Sequence, residues 1–327
     1  MKKLVILLAV ISLCVGFTIP TYAISSNTKQ LDGYELSLTR FSAKIKNKSD
    51  EEIGKDILRK LGMSEDNINS MPKEKLEEVC NAKSIRNETE YGKINQNGET
   101  LNISEEQYKN EIQNIDLQSA NNIQPLSAGD SWSASGEDKL FSKTLFIVET
   151  KNAPAGTFGI ISSFEWKNFT GHYKGEEIFS LSGEGLVFDR SSFLMHTQFV
   201  YQQTTSQGIS NGTKYEDLTS DNISDYNDLQ GEGFAISFHY NLPNNLYSPW
   251  SSLIYSNAGF LFMCSARLQQ YDQANTFNVY ANYFHQTVGF GSLGVSVNVN
   301  GASVSVSPSL LYSKYQIMTD HPINYEP

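Results

Sequence analysis

Phe234, Ile236, Phe238 and Tyr240 alternate with Ala235, Ser237, His239 and Asn241. A period of two puts the large apolar residues on one face of an extended strand and the small or polar ones on the other. The same signature recurs. Phe260, Phe262, Cys264, Ala266 and Leu268 form a second row, Ile160, Ser162, Phe164 and Trp166 a third, and Phe277, Val279, Ala281 and Tyr283 a fourth. Further strands are expected near 140–149, 170–189 and 193–204. Clusters of Gly, Asn, Asp, Ser and Pro at 150–156 and 205–230 read as the loops between them. Many strands with turn signals and no strong helix between them predict an antiparallel β-sandwich or a barrel-like domain.

Composition marks where this pattern begins. Residues 24–124 carry 14 Lys/Arg and 18 Asp/Glu, whereas residues 125–327 carry 9 and 18. The later part also holds 32 of the 38 aromatic residues and all five histidines, so the two parts follow different rules. In the first, Ser49-Asp50-Glu51-Glu52 is a capping box, and Ile53, Ile57, Leu58 and Leu61 recur at helical spacing until Gly62. A second short helix is expected over Ser64 to Ser70. Pro72 suits the start of a third, with Leu76, Val79 and Cys80 on its apolar side. The expected division is a signal peptide 1–23, an extended segment 24–48, a small charged helical unit 49–84, a polar linker 85–127 and an antiparallel β domain 128–327. Ser104-Glu105-Glu106 can begin one more helix inside the linker. A helical unit followed by a polar linker also reads as a propeptide.

The start of the chain addresses it to the outside. Lys2 and Lys3 precede an apolar run from Leu4 to Phe17, and Thr21-Tyr22-Ala23 offers the small residues of a cleavage site. That run is shorter than the ~18 residues of a spanning helix. The expectation is therefore a secreted, extracellular protein. Only Cys80 and Cys264 remain after removal of the signal, too few for a disulfide scaffold, although one bridge between them is open. A net charge of −11 argues against nucleic acid and against anionic lipid as electrostatic partners.

Several motifs fail on inspection. Gly289-Phe290-Gly291-Ser292-Leu293-Gly294 matches a dinucleotide fingerprint, but a Val/Ser strand follows where a helix N-terminus is required. Cys264 shares a face with Phe260 and Phe262, the setting of a structural rather than a catalytic thiol. The histidines stand singly, without metal-pair spacing, and there is no nucleophile elbow. Glu165, Glu176, Glu177, Glu184 and Asp189 could serve a secreted hydrolase only if two of them faced each other across a cleft. No cofactor is called for, with one exception. The acidic loop Glu216, Asp217, Asp221, Asp225, Asp228 and Glu232 offers hard oxygens suited to Ca²⁺, with Asp221, Asp225 and Asp228 as the candidate ligands.

Two stretches carry the functional expectations. Tyr240, Tyr247, Trp250 and Tyr255 surround Asn241-Leu242-Pro243-Asn244-Asn245, and amphipathic aromatics on a loop can stack on sugars or fill a protein pocket. Residues 284–315 form the other. Asn300-Gly301 is a strong hairpin signal. Val295, Val297 and Val299 share a face before it, and Val304 and Val306 share one after it, opposite Ser and Asn. No Asp, Glu, Lys or Arg occurs between Asp272 and Lys314. In this small-polar and valine alternation the hairpin resembles the glycine- and serine-rich stem hairpins of β-barrel pore-forming toxins. That resemblance implies membrane insertion after oligomerisation, while an ordinary sandwich hairpin with a solvated Ser face gives the same alternation. A break of parity between Phe290 and Leu293, and Pro308, favour the soluble hairpin. The expected function is a secreted, non-enzymatic binding protein for a glycan, a cell-wall component or another protein. A membrane-active hairpin is the first alternative and a carboxylate hydrolase the second.

Overall fold

A computed structural model describes residues 48–95, 99–121, 139–151, 153–167, 176–183, 185–205, 208–219, 233–239, 252–269, 276–286, 296–300, 303–307 and 312–322. The elements in chain order begin with α1 (Asp50–Lys60), α2 (Glu65–Ser70), α3 (Lys73–Cys80), β1 (Ala82–Ile94), β2 (Thr100–Ile103) and α4 (Glu105–Asn121). Then come β3 (Lys139–Thr150), β4 (Thr157–Lys167), β5 (Glu176–Ser182), β6 (Leu186–Thr205), β7 (Gly208–Thr219) and β8 (Gly233–His239). The chain closes with β9 (Ser252–Leu268), β10 (Thr276–Gln286), β11 (Ser296–Asn300), β12 (Ser303–Ser307) and β13 (Tyr312–Pro322).

Among the described residues these strands make two antiparallel sheets and a separate hairpin. Sheet A has the order β2-β1-β3-β4-β9-β6-β7, sheet B the order β13-β10-β5-β8, and β11 pairs only with β12. The fold is the expected sandwich. Its core is built from the rows that the period-two pattern picked out. Ile160, Phe164 and Trp166 of β4 and Phe260, Phe262 and Cys264 of β9 meet Phe179 of β5 and Val279, Ala281 and Tyr283 of β10. Lys143 closes the gap between β3 and β13, where its ammonium donates to the Gln316 carbonyl and pairs with Glu90 at 2.8 Å.

The helices form as read and pack on the outer face of sheet A. The Ser49 hydroxyl accepts the Glu52 amide at 3.3 Å while Glu52 accepts the Ser49 amide at 3.0 Å. Gly62 ends the first helix at φ +89°, where a side chain would be strained. Ile57, Leu58, Ile68, Leu76 and Val79 bury against Phe146, Val148, Ile161, Leu261 and Met263. Gly54 permits the crossing of α1 and α3, because a Cβ there would lie 2.2 Å from the Leu76 carbonyl oxygen. No helix among the described residues is long and apolar enough to cross a membrane, which leaves strands aside.

Three readings change. Residues 85–127 are not simply a linker, since they supply most of β1, all of β2 and α4. β1 pairs with β3 from Ala82 to Ile94, in the interior of sheet A. Its residues are mostly half-exposed Lys, Arg, Asn, Glu and Thr, so pairing rather than an apolar face makes it a strand. The expected helix at Ser104 is there, with Ser104 and Gln107 exchanging capping bonds of 3.2 and 2.9 Å. Second, 205–230 is not all loop. β7 pairs with β6 over Gly208 to Thr219 and takes Glu216 and Asp217 into a strand. Third, 193–204 is one strand with 186–192, irregular in register between Asp189 and Leu194.

Candidate functional site

The inner face of sheet B is used up by the core, and its outer face is made of the alternate residues. These are Ile178, Ser180 and Ser182 on β5, Ala235 and Ser237 on β8, and Tyr280, Asn282 and Phe284 on β10. The register sets Asn282 opposite Ser180 and Ala235, and Phe284 opposite Ile178 and Ser237. Ile178, Ser180, Ser182 and Asn282 are all 0% exposed, so this face is covered. β11 approaches β8 and β12 approaches β5 to within 8 Å between Cα atoms. That is closer than the ~10 Å of ordinary stacked sheets, and residues as small as Ser and Ala permit it. The hairpin thus lies over the outer face of sheet B rather than in a sheet.

Valine pairing sets the hairpin's register. Val297 faces Val306, Val299 faces Val304 and Asn300 pairs with Ser303. Gly301 of the expected Asn300-Gly301 turn lies outside the described residues. Val297, Val299, Val304 and Val306 stand on one face of this hairpin by register, while Val295 lies outside the described residues. The root of the arm is the β10–β13 ladder, which ends at Gln286 opposite Tyr312. One connecting segment covers 287–295 and the other 308–311, nine residues against four, so the two ladders are not one continuous register.

Beside the root, on the inner face, is a buried polar chain. His285 Nδ1 lies 2.9 Å from Glu177 Oε1, and Tyr283 Oη lies 3.5 Å from the same nitrogen. The Trp166 indole donates to Tyr283 Oη at 3.2 Å. This chain ties the end of β10 to the start of β5. Sequence reasoning missed it, because His285 and Glu177 are far apart in the chain and share a face only through the β5–β10 register. Of the candidate carboxylates, Glu184 lies outside the described residues, and Glu165 and Glu177 do not face each other. Glu165 lies on the outer face of sheet A, where it accepts from Asn67 Nδ2 at 2.6 Å and from the Ser64 hydroxyl. Glu177 lies on the inner face of sheet B.

The other candidates are placed as follows. Cys80 and Cys264 are both free thiols. Cys264 sits in the core, and burial pushes its thiol well above the ordinary range, as expected of a structural cysteine. His196, one of the singly standing histidines, is held by neighbours on its strand face. Its Nδ1 lies 2.6 Å from Asp217 Oδ1, its ring lies 5.1 Å from that of Tyr215, and its Nε2 is buried without a hydrogen-bond partner. Tyr240, Tyr247 and Trp250 lie outside the described residues. Tyr255 stands in β9 opposite Tyr201. Asp221, Asp225 and Asp228 also lie outside them. β8 ends at His239, which pairs with Glu176 at the start of β5.

No protein-family model matches the chain, and no curated protein matches it. Among solved structures it overlaps the collagen-binding subdomain of the Enterococcus faecalis surface protein ACE. Identity is 9%, with 50% of this chain and 89% of that one covered, at a TM-score of 0.24. It overlaps a pore forming protein at 7% identity, with 57% and 93% covered and a TM-score of 0.20. A third overlap is with CBM28, a carbohydrate-binding module specific for non-crystalline cellulose, at 14% identity, 38% and 79% covered, and a TM-score of 0.17. At these scores the overlaps carry no argument.

Proposed function

We propose that this chain is a secreted, non-enzymatic β-sandwich protein that acts by contact with an extracellular surface, and that the surface is a membrane engaged by the β11–β12 hairpin. The observation that carries the reading is the hairpin's isolation. It belongs to neither sheet of the sandwich, it lies over the outer face of sheet B, and the sequence around it is uncharged from residue 273 to 313. It lies in the connection between β10 and β13, neighbouring strands of sheet B, and pairs with neither of them. Its strands are five residues each, and a barrel-forming strand needs about 9–11. Insertion therefore requires the ladder to lengthen through 287–295 and 308–311, which the sequence has the length to supply.

The test is dye release from liposomes by the mature chain, 24–327. Release is expected from neutral vesicles, because the hairpin is uncharged and its valines would face lipid. Val297→Asp, opposite Val306, is expected to abolish release while secretion and fold are kept. Absence of release from neutral and anionic vesicles, with and without Ca²⁺, would overturn the membrane reading.

The second reading, binding of a glycan or a protein by Tyr240, Tyr247, Trp250 and Tyr255, is supported by topology. β8 and β9 flank the stretch that holds Tyr240, Tyr247 and Trp250, at one end of the sandwich, where binding residues are commonly carried, while Tyr255 stands in β9 itself. Loss of retention on wall glycans in Trp250→Ala, with the fold intact, would support it. Calcium at Asp221, Asp225 and Asp228 is a proposal of the same kind, tested by a Ca²⁺-dependent rise in melting temperature that Asp225→Asn removes.

A further inference from the structure

Asn282 Nδ2, Asn282 Oδ1, Ser180 Oγ and Ser182 Oγ are buried, and none has a hydrogen-bond partner. Buried polar groups in folded proteins are nearly all bonded, and each that is not destabilises the state that buries it. Here they are not scattered. Asn282 stands directly opposite Ser180, and Ser182 follows two residues on along β5, so all four atoms belong to one patch of sheet B's outer face. On the outer face of sheet A the hydroxyls of Thr144 and Ser163 bond each other at 2.5 Å, and the unpartnered atoms, Thr89 Oγ1 opposite Thr144 and His196 Nε2 opposite Leu261, stand singly on separate strands rather than in one patch.

The hairpin over this patch is free to go. The β11–β12 ladder is a sheet of its own, and the β10–β13 ladder ends before it begins, so no strand pairing of sheet B is lost if the hairpin lifts. We infer that β11–β12 is a releasable cover: Ser180, Ser182 and Asn282 form a seat that holds it only marginally, and release lets water reach the unpartnered groups. The purpose of release rests on the membrane reading above, but release itself is measured without a membrane.

The experiment is hydrogen exchange on the mature chain in lipid-free buffer, followed by peptides covering 296–307, 176–182 and the β3–β4–β9 ladder. The hairpin and the seat are expected to exchange by local opening, well ahead of that ladder. Asn282→Leu keeps the side-chain shape and removes both unpartnered atoms. It is expected to slow exchange in 296–307 roughly tenfold, with no comparable change in the ladder. Ser180→Ala and Ser182→Ala are milder and are expected to act in the same direction, so a poor fit of the larger substitution alone does not decide the result. Exchange of the hairpin together with the ladder, or faster hairpin exchange in all three variants, would overturn the inference. Slower exchange in the variants, with no dye release by the wild type, would keep the releasable cover and remove the membrane as its target.

Discussion

The two outer faces of the sandwich are both covered, and the covers are built on opposite principles. Over sheet A, three helices interdigitate with Phe146, Val148, Ile161, Leu261 and Met263. Among the polar groups on that face, Glu165 receives hydrogen bonds from Ser64 and Asn67 and has the Lys167 ammonium at 3.4 Å, while Thr89 Oγ1 and His196 Nε2 are buried singly without a partner. The chain passes from α3 straight into β1, an interior strand of the same sheet. Over sheet B, a two-stranded hairpin lies on small residues with four unpartnered polar atoms. The first cover is part of the folding unit. The second is held by little. A propeptide made of the helical unit would have to leave behind an apolar face, and its removal is a less natural release step than movement of the hairpin.

The contrast can be broken from the helical side first. Leu58→Ala is expected to cost about 2–5 kcal/mol, because Leu58 is fully buried between helix and sheet. Denaturant unfolding measures it, and a cost below about 1 kcal/mol would mean the helices are a loose cover as well. Glu165→Leu strands the Ser64 and Asn67 donors, and a loss of about 2–3 kcal/mol is expected in the same assay. On the hairpin side the effects are small. Val299→Asp is expected to change global stability by less than about 1 kcal/mol, and a large loss would show that the hairpin is structural after all.

A last and smaller effect concerns pH. Burial, and then the nearby Glu90 and Asp320 carboxylates, raise the Glu88 carboxyl above its ordinary value. A raised folded-state value favours the protonated form, so Glu88 contributes stability at low pH and loses it as pH rises through that value. Glu88→Gln is therefore expected to raise the melting temperature at pH 7. The gain should shrink as the pH falls towards the ordinary carboxylate range, and a gain that does not change with pH would mean that packing, not ionisation, is its cause.

Much of this was legible in the sequence because the signals are local. Ser49 to Glu52, Gly62 and the apolar spacing at Ile57 and Leu58 define helices from within a few residues. The rows at 160–166, 260–268 and 277–283 state a buried strand face by their alternation alone. β1 was not legible, since Glu88, Thr89 and Glu90 carry no apolar row and become a strand only beside β3. Neither was the Glu177–His285 pair, which exists only through the pairing of β5 with β10.

By itself, the sequence determined that an antiparallel β domain would form, that helices would precede it, and that a hairpin would lie within the stretch 273–313, which holds no Asp, Glu, Lys or Arg. Those properties depend on period, capping and charge, which are set by near neighbours along the chain. The tertiary structure decided which face each element covers. It put the helices on sheet A, the hairpin on sheet B, and Ser180, Ser182 and Asn282 beneath that hairpin without partners. Such choices depend on strand order and register, and these are settled by contacts between residues far apart in sequence, where no local pattern records them.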